Sequence, residues 1–414
     1  MVTATSYESA YARPPRRESV RGHSLVMPEG ARLDVLILNW RDVTHPQGGG
    51  SEVYAEQVAA GLSRRGHRVT FLCAAHPGAP AQETSPDGVR IIRTGGRLSV
   101  YAAAALAYHR GRLGRPDVIV DVQNGVPFFA RVWAGVPVVV LVHHVHREQW
   151  PVVMGPVQAR VGWWVESRLA TRVNRGLPYV TVSDVSRDEL GTLGVDTDDV
   201  QVVHNGTPLP WSEPAPRSPA PRLVALGRLV PHKRIEMALR ATARLRDAHP
   251  GLHLDVVGHG WWHDQLVAAA RELDVLDSVT FTGFVDEQAK NRLLGAAWVS
   301  LVPSLKEGWG LTVMEAAVHG TPSVAFRSAG GVAESVVDGV TGLLADDEEG
   351  FVRSVDLLLA DGQLRERLGR AARERAMEFT WDATVCDWEA TLYDAVRDGA
   401  GARGGRGAQG QRVP

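Results

Sequence analysis

The sequence predicts an α/β protein with two Rossmann-like domains, each a doubly wound parallel sheet, that face each other across a cleft. Apolar runs typical of buried parallel strands alternate with helical patterns along most of the chain. A proline-rich stretch at residues 207–221 then divides this series into similar halves. Ligands of such sheets bind beyond the C-terminal ends of the strands, so we expect the functional residues at those ends.

The composition of the chain narrows the function classes. The chain has 414 residues and a hydrophobic fraction of 44%, enough for a core in each of two domains. A net charge of −2 does not suggest nucleic-acid binding. The two cysteines, Cys73 and Cys386, fit free thiols in a reducing compartment. With no membrane-spanning run and no secretory signal pattern, we expect a cytoplasmic protein.

Domain boundaries follow from changes in composition and periodicity. We predict a disordered tail at residues 1–30, an N-terminal Rossmann-like domain at 31–206, a linker at 207–221, a C-terminal Rossmann-like domain at 222–378, a C-terminal helix at 379–398, and a disordered tail at 399–414.

A glycine-rich turn follows the first predicted strand. Residues 48–50 are glycines, and a helical pattern begins directly after them. The backbone N–H groups of Gly49 and Gly50 are candidates to meet an anion at the start of this helix. The turn matches neither dinucleotide nor Walker spacing, so a plain tight turn into a helix is the alternative.

Three histidines stand at and just beyond the end of the strand at residues 137–144. His143, His144 and His146, with Glu148 nearby, suggest a contact with a sugar hydroxyl, a structural role, or a metal site. We expect no metal, because H-H-x-H at a strand end lacks the helical spacing that presents two ligands to one zinc ion.

The predicted helix at residues 156–175 combines arginines with Trp163 and Trp164. A basic helix with aromatic residues can lie on an anionic membrane. The alternative is a helix that packs its tryptophans inward and leaves its arginines in solvent. With Trp150, the two tryptophans are also candidates to contact a lipid or an aglycone.

Two cations lie on the loop after the first strand of the second half. Arg228 offers bidentate donors and Lys233 a compact charge, a combination that suits a diphosphate. The alternative is a pair of solvated surface cations. Lysine occurs at only three positions in the chain, which favours a chemical requirement at Lys233. Beyond the next strand, the turn at Gly258 would bring backbone close to a base or ribose.

A strand-to-helix turn at residues 304–315 is the most informative stretch. It carries Gly308, Gly310, Glu307 and Glu315, which place two acceptors beside the positive start of a helix. Phosphate and neighbouring hydroxyls in one ligand, as in a nucleotide sugar, fit that set. The alternatives are a solvated loop charge at Glu307 and a T-x-x-E capping box formed by Thr312 and Glu315.

Together these motifs resemble the family 4 glycosyltransferases of the GT-B fold over residues 33–396. The stretch EGWGLTVME at 307–315 is similar to the family's E-x7-E motif, and GGSE at 49–52 is similar to its N-terminal glycine loop. VHNG at 203–206, LGRLVPHK at 226–233, VGHG at 257–260 and FTGFV at 281–285 follow the family's usual order.

The resemblance implies that the domain at 31–206 binds the acceptor, that the domain at 222–378 binds the nucleotide sugar, and that the helix at 379–398 crosses back to the first domain. It also implies a role for each matching residue. Arg228 and Lys233 would hold the donor diphosphate with backbone help at Gly49 and Gly50. Glu307 would bind a donor-sugar hydroxyl and Glu315 the ribose. His143 would lie against the transferred sugar, although His144 beside it leaves the choice between the two open. The remaining donor contacts would come from Gly258 and Val285 beside the base and from Gly308, Trp309, Gly310, Leu311 and Thr312.

The resemblance also implies a retaining, metal-independent hexosyl transfer without a cofactor. The donor would be a UDP- or GDP-sugar, and the acceptor a hydroxyl of a lipid, glycan or natural-product aglycone. One alternative is a GT-B nucleotide-sugar 2-epimerase, which needs no acceptor. A pyridoxal-phosphate phosphorylase has few lysines to choose from. A non-catalytic nucleotide-sugar-binding protein does not need the intact set of charged residues.

Overall fold

The computed structural model describes residues 31–207 and 215–408. The N-terminal sheet has eight strands in the order β3-β4-β2-β1-β5-β6-β7-β8. These strands are β1 Asp34–Leu38, β2 Arg68–Cys73, β3 Gln82–Thr84, β4 Arg90–Arg93, β5 Val118–Val122, β6 Val138–Val142, β7 Tyr179–Thr181 and β8 Val200–Val202.

The second sheet has six strands, all parallel, in the order β11-β10-β9-β12-β13-β14. Its strands are β9 Arg222–Leu226, β10 His253–Val257, β11 Val279–Gly283, β12 Val299–Val302, β13 Ser323–Phe326 and β14 Gly342–Ala345. Each sheet thus reverses its strand order about a central pair, which is the doubly wound pattern. The predicted α/β class with two Rossmann-like sheets is confirmed.

Helices connect the strands of both sheets. In the N-terminal half they are α1 Gly50–Arg64, α2 Val100–His109, α3 Ala130–Trp133, α4 Trp150–Val153, α5 Pro156–Trp164, α6 Thr171–Val173 and α7 Asp184–Thr192. The C-terminal half contains α8 Glu236–Leu245, α9 His263–Glu272, α10 Glu287–Ala296, α11 Leu311–Val318, α12 Val332–Ser335, α13 Glu348–Ala360, α14 Gly362–Ala376 and α15 Trp381–Ala408. A π-helical segment at Val165–Ala170 joins α5 to α6, so the predicted helix at 156–175 is present with one widened stretch.

The N-terminal sheet differs from the all-parallel prediction at one edge. Strand β3 pairs antiparallel with β4. A tight turn joins the two strands, with the Ser85 N–H donating to the Val89 carbonyl. Because so short a connection allows only antiparallel pairing, this edge could not continue the parallel order.

Helix α15 packs on the N-terminal half. Its Trp388 is buried in that core, where the indole N–H donates to the Tyr54 hydroxyl at 2.7 Å. The helix also runs to Ala408, past the helix end predicted at 398. At Gly399 the backbone lies so close to Pro137 that a Cβ would be 2.5 Å from its ring, which anchors the helix beyond that boundary.

The predicted linker lies partly outside the described residues, and so do the predicted tails at 1–30 and 409–414. The second half of the linker is held against the C-terminal sheet. Arg217 donates to the carbonyls of Gly295 and His319, and Ser218 accepts from the Trp298 indole at 2.8 Å. Within the described ranges, no helix combines the length and apolarity needed to span a bilayer.

Candidate active site

The candidate residues lie where the strand order of each sheet reverses. In the C-terminal sheet, the loop after β9 carries Arg228 and Lys233, and the turn after the neighbouring strand β12 carries Glu307. In the N-terminal sheet, the glycine loop follows β1, whose neighbour across the reversal is β5. Loops at such a reversal diverge and leave a crevice, so topology alone brings these residues to one place.

Lys233 and Glu307 form a half-buried ion pair. The Lys233 ammonium lies 2.5 Å from Glu307 Oε1, and the Ser304 hydroxyl donates to the same oxygen at 2.6 Å. Burial is the largest effect and opposes ionisation of Glu307, but the Lys233 charge and the hydrogen bonds from Lys233 and Ser304 together outweigh burial and hold the carboxyl pKa below its ordinary value. The alternative of a solvated loop charge at Glu307 is therefore wrong, because this carboxylate is fixed beside a cation.

The turn before α11 depends on a glycine. Gly310 has a φ of +88° and is the N-cap of Leu311–Val318. This left-handed residue starts the helix before Thr312, so Thr312 lies inside the helix and not at its cap. The capping-box alternative for Thr312 and Glu315 is therefore wrong, and Glu315 does not serve the helix start.

Glu315 instead meets a second lysine. Its Oε1 accepts from the Lys290 ammonium of α10 at 2.7 Å, and both side chains are largely buried. Burial opposes the charge on Lys290, but Glu315 and Glu287 outweigh it and raise the lysine pKa. Lys290 thus fixes Glu315 through one carboxylate oxygen, close to the turn before α11.

The glycine loop lies directly against the cations of the other half. A Cβ on Gly49 would be 2.8 Å from the Arg228 guanidinium, and a Cβ on Gly50 would be 3.0 Å from Leu311. Arg228 also donates to the Gln47 carbonyl at 2.8 Å. Arg228, Leu311 and the glycine loop therefore share one crevice, which excludes the alternative in which Arg228 is a cation in open solvent.

One detail of the glycine loop differs from expectation. The Gly49 N–H donates to Glu52 Oε2 at 2.7 Å, so it already has an acceptor and is not available to an anion in this arrangement. Glu52 is fully buried and pairs with Arg41 at 3.0 Å. The Glu52 side chain, in the first turn of α1, folds back over the loop and accepts from the Gly49 N–H.

His143 and His144 are both neutral in this environment. Burial, with a smaller effect of His146, lowers the His143 pKa to about 3, and burial also holds the His144 pKa well below its ordinary value. The Nε2 atoms of both residues are buried without a hydrogen-bond partner among the described residues. His143 also touches the turn before α11, since a Cβ on Gly308 would be 2.4 Å from its carbonyl oxygen. The choice of His143 over His144 as the sugar contact stays a prediction.

The remaining predicted donor residues divide into two groups. Gly258 packs so tightly on the β9 loop that a Cβ would be 2.0 Å from the Gly227 carbonyl, and Val285 packs beside Val257. These residues border the end of the C-terminal sheet, where a base is expected. The Trp309 side chain is different, because it is 2% exposed and its ring lies 4.5 Å from that of His204. Only the backbone of Trp309 is left to contact a donor.

Sequence reasoning missed three participants. Lys290 pairs with Glu315, Lys306 pairs with Glu189 of α7, and Glu166 holds His146. All three lysines of the chain therefore pair with carboxylates around this crevice. The scarcity of lysine was the available signal, but no local pattern matches each lysine to its carboxylate. Within the described part of the chain, no cluster of three or more His, Cys, Asp or Glu side chains is arranged to hold a metal ion.

Two family models match consecutive parts of the chain. The model described as "Glycosyl transferase 4-like domain" matches residues 49–206, and the one described as "Glycosyl transferases group 1" matches residues 212–375. The chain is 30% identical to a D-inositol 3-phosphate glycosyltransferase of Actinosynnema mirum, over 86% of this chain and 95% of that protein. It is 29% identical to a glycogen synthase of Mycobacterium tuberculosis, over 85% of this chain and 92% of that protein.

Solved structures share the fold. A sucrose-phosphate synthase from Thermosynechococcus elongatus superposes with a TM-score of 0.75 at 23% identity, over 88% of this chain and 98% of that one. The Anabaena HepE protein, solved in complex with UDP and glucose, superposes with a TM-score of 0.68 at 18% identity, over 88% of this chain and all of that one. At these identities the likeness establishes the two-domain architecture.

Proposed function

This chain belongs to the family 4 glycosyltransferases of the GT-B fold, and on that premise we propose that it transfers a hexosyl sugar, with retention, from a UDP- or GDP-sugar to a hydroxyl acceptor. The acceptor class is a lipid, a glycan or a natural-product aglycone. Free Cys73 and Cys386 fit action in the cytoplasm.

One observation carries the proposal. The Lys233–Glu307 pair lies in the same crevice as Arg228, which packs on the glycine loop of the opposite half. A donor needs cations for its diphosphate and a fixed carboxylate for its sugar hydroxyls. Those two requirements meet here within one hydrogen-bond distance, on two loops of the C-terminal sheet, and the glycine loop of the other sheet lies against Arg228.

Each part of a donor then has a partner. The diphosphate lies between Arg228 and Lys233, at the N-terminal end of α11. Glu307 accepts from a hydroxyl of the sugar, and Glu315 accepts from the ribose. His143 lies against the transferred sugar.

The transfer needs no group beyond donor, acceptor and these residues. The bond between the anomeric carbon and the phosphate oxygen breaks, and the acceptor oxygen bonds to the same face of that carbon. The acceptor proton passes to the leaving phosphate oxygen, giving a glycoside and a nucleoside diphosphate. Negative charge grows on the diphosphate as its bond breaks, and the fixed Arg228 and Lys233 charges stabilise it without a metal ion.

The donor can be identified by thermal shift and then by product analysis. UDP-, GDP-, ADP- and dTDP-sugars are screened for the one that raises the melting temperature. The selected donor is incubated with a panel of acceptors, and the anomeric configuration of the product is read by NMR. Glu307→Gln and Lys233→Met are expected to lose turnover by about tenfold or more while both variants remain folded by circular dichroism at the assay temperature. Unchanged turnover in both variants would reject the assignments.

The two alternatives remain separable by the same assay. A nucleotide-sugar 2-epimerase would change the donor with no acceptor present, and a binding protein would raise the melting temperature without turnover. The ion-paired Glu307 beside Lys233 favours the transferase, because a binding protein has no need to keep a carboxylate charged against burial.

An exposed face of α5 favours a membrane-associated acceptor. Val157, Val161 and Trp164 recur at the spacing of one helix face and are 67%, 56% and 55% exposed. Arg160 and Arg168, both exposed, border this stripe. Trp163 instead packs inward against the adjacent core, as the alternative interpretation of this helix expected. We place peripheral contact with an anionic lipid surface on this face.

A further inference from the structure

A buried carboxylate beside the catalytic crevice has no role in the donor site described above. Glu166 is 1% exposed and lies in the π-helical segment Val165–Ala170. Its only ion-pair partner among the described residues is the imidazole of His146. Burying a carboxylate without a Lys or Arg partner is costly, and π-helical turns often mark functional positions.

Glu166 receives three hydrogen bonds from one short stretch. Its Oε1 accepts from the backbone N–H of His146 at 3.1 Å and from His146 Nδ1 at 2.9 Å. Its Oε2 accepts from the indole N–H of Trp150 at 2.6 Å. Because a carboxylate accepts at both oxygens, Nδ1 of His146 carries a proton in this arrangement, and in the neutral ring the lone pair is therefore on Nε2.

An amide could not replace this carboxylate. Glutamine has one accepting atom, and the donors from His146 and Trp150 approach two different oxygens. Whichever way the amide is turned, its NH2 group faces a donor. A carboxylate at residue 166 is therefore the side chain that fixes both the orientation and the tautomer of His146.

His146 stands beside the groups predicted to receive the donor sugar. Its ring lies 4.3 Å from that of His144, whose buried Nε2 has no partner among the described residues. Across the crevice, His232 precedes Lys233, and its buried Nδ1 also lacks a partner among those residues. His144 and His232 thus each have a buried ring nitrogen without a partner among the described residues.

The cations near these imidazoles are committed elsewhere. Lys306, which is 6% exposed, pairs with Glu189. Arg147 projects over the Trp163 ring, 5.7 Å from its centroid. Lys233 and Arg228, whose charges act on His232, are assigned to the donor diphosphate. The imidazole nitrogens left to bind an acceptor suit hydroxyls better than a phosphate.

We propose that His146 and His144 bind the acceptor as a neutral polyol, a sugar or a cyclitol, with His146 Nε2 accepting from one of its hydroxyls. Glu166 acts through His146 as a positioning residue. This inference rests on the proposed transferase function and adds the acceptor class and two residues to it.

The first test reads the tautomer without any ligand. Imidazole nitrogen chemical shifts are recorded on full-length protein labelled with the heavy nitrogen isotope in its histidines, and His146 is assigned from the His146→Gln spectrum. We expect His146 to carry its proton on Nδ1, and Glu166→Gln to abolish this preference. A His146 proton on Nε2 in the wild type overturns the proposal.

The second test separates acceptor use from donor chemistry. Hydrolysis of the donor in water is compared with transfer to myo-inositol and to glucose, and each acceptor is paired with its monophosphate. Glu166→Gln and His146→Gln are expected to lower transfer about tenfold or more while donor hydrolysis and donor KM stay within about twofold. The matched control is Glu148→Gln, an exposed carboxylate in the same segment, which should change neither rate.

The outcomes distinguish this inference from the proposed function. Wild-type protein that neither hydrolyses nor transfers any donor rejects the transferase itself. With donor hydrolysis present, preference for the phosphorylated acceptors, or no response to any of the four, overturns the neutral-polyol site. Equal loss of hydrolysis and transfer in the variants overturns it as well, because that result would place His146 in the donor site.

Discussion

The Lys233 ammonium lies 2.5 Å from Glu307 Oε1, with both side chains largely buried, and this contact joins the loop after β9 to the turn after β12. The pair is a defined arrangement on the folded protein, so a donor meets a cation and a carboxylate already in position. Such pre-organisation reduces the ordering that binding must otherwise accomplish.

The first prediction concerns the pH dependence of this pair. Lys233 lowers the Glu307 pKa in the wild type, so Glu307 stays ionised as pH falls below the ordinary carboxyl range. In Lys233→Met, burial still raises the Glu307 pKa but the lysine charge no longer lowers it. The acidic limb of the kcat/KM profile should therefore move to higher pH. The profiles of wild type and variant are measured with the same donor, and coincident acidic limbs would contradict the assignment.

The same pair affects stability, with a defined sign. A carboxyl whose folded-state pKa is depressed contributes stability above its unfolded pKa and loses it as pH falls through the folded value. Wild-type protein should therefore lose the Glu307 contribution only at acidic pH. Lys233→Met should be less stable already at neutral pH. Urea unfolding at neutral and acidic pH measures the free energy of unfolding of the wild type and of Lys233→Met. A destabilisation of the variant relative to the wild type that grows on acidification would contradict this prediction.

The second prediction concerns Lys290 and Glu315. If Lys290 holds Glu315 for the ribose, Lys290→Met should raise the donor KM with a smaller effect on kcat. Glu315→Gln should reduce the preference of the enzyme for the ribonucleotide over its deoxyribose analogue. A double-mutant cycle tests the link, because residues that act through one contact are not additive. Additive effects in the double variant would show that Lys290 and Glu315 act separately.

The third prediction concerns helix α15, which packs on the N-terminal half of the chain. Trp388 of α15 is buried against Tyr54, whose hydroxyl donates in turn to the Val203 carbonyl at 2.9 Å. Trp388→Ala should cost about 3–5 kcal/mol of unfolding free energy, as for other buried aromatic truncations. Tyr54→Phe leaves a buried indole N–H and a carbonyl unpaired and should cost about 1–3 kcal/mol.

Chemical denaturation of these two variants is compared with Trp164→Ala as the control. Trp164 is 55% exposed, so its truncation should change the unfolding free energy by less than about 0.5 kcal/mol. A Trp388→Ala variant as stable as Trp164→Ala would show that α15 contributes little to the N-terminal core.

The fourth prediction concerns the exposed face of α5. The Val161→Ser, Trp164→Ser double variant should lose most sedimentation with vesicles of phosphatidylglycerol and phosphatidylcholine, because it removes the apolar area that would enter the lipid interface. Substitution of Leu98, which is 83% exposed elsewhere on the surface, is the matched control. Wild-type protein that ignores these vesicles, or binds pure phosphatidylcholine equally well, would contradict the assignment.

Much of the fold was readable from the sequence, because apolar runs and glycine-rich turns are local signals. The switch-point positions of Arg228, Lys233 and Glu307 followed from strand order alone. The antiparallel edge at β3 was not predicted, since three residues of strand carry too weak a pattern. Helix α15 extends beyond 398, where Gly399 contacts Pro137. The glycine-rich composition of this segment gives no indication of that tertiary contact.

Contacts between residues that are distant in sequence were the main feature that the sequence analysis did not predict. The spacing of Thr312 and Glu315 matches a capping box. In the structure the helix begins after the left-handed Gly310, so Glu315 does not cap it and pairs with Lys290 instead. Glu148 is next to the histidines in sequence, whereas the carboxylate that holds His146 is Glu166. No local pattern distinguishes these cases, because each depends on which helix face meets which strand end.

The account depends most on the claim that Arg228 and Lys233 bind a diphosphate, and calorimetry tests this directly. Nucleoside diphosphates of uridine, guanosine, adenosine and thymidine, and the matching monophosphates, are titrated into the wild type and into the Arg228→Ala, Lys233→Ala double variant. For at least one base, the wild type should bind the diphosphate about tenfold or more tightly than the monophosphate, and the double variant should lose that difference. Equal affinity of the wild type for the diphosphate and monophosphate of every base it binds would contradict the account.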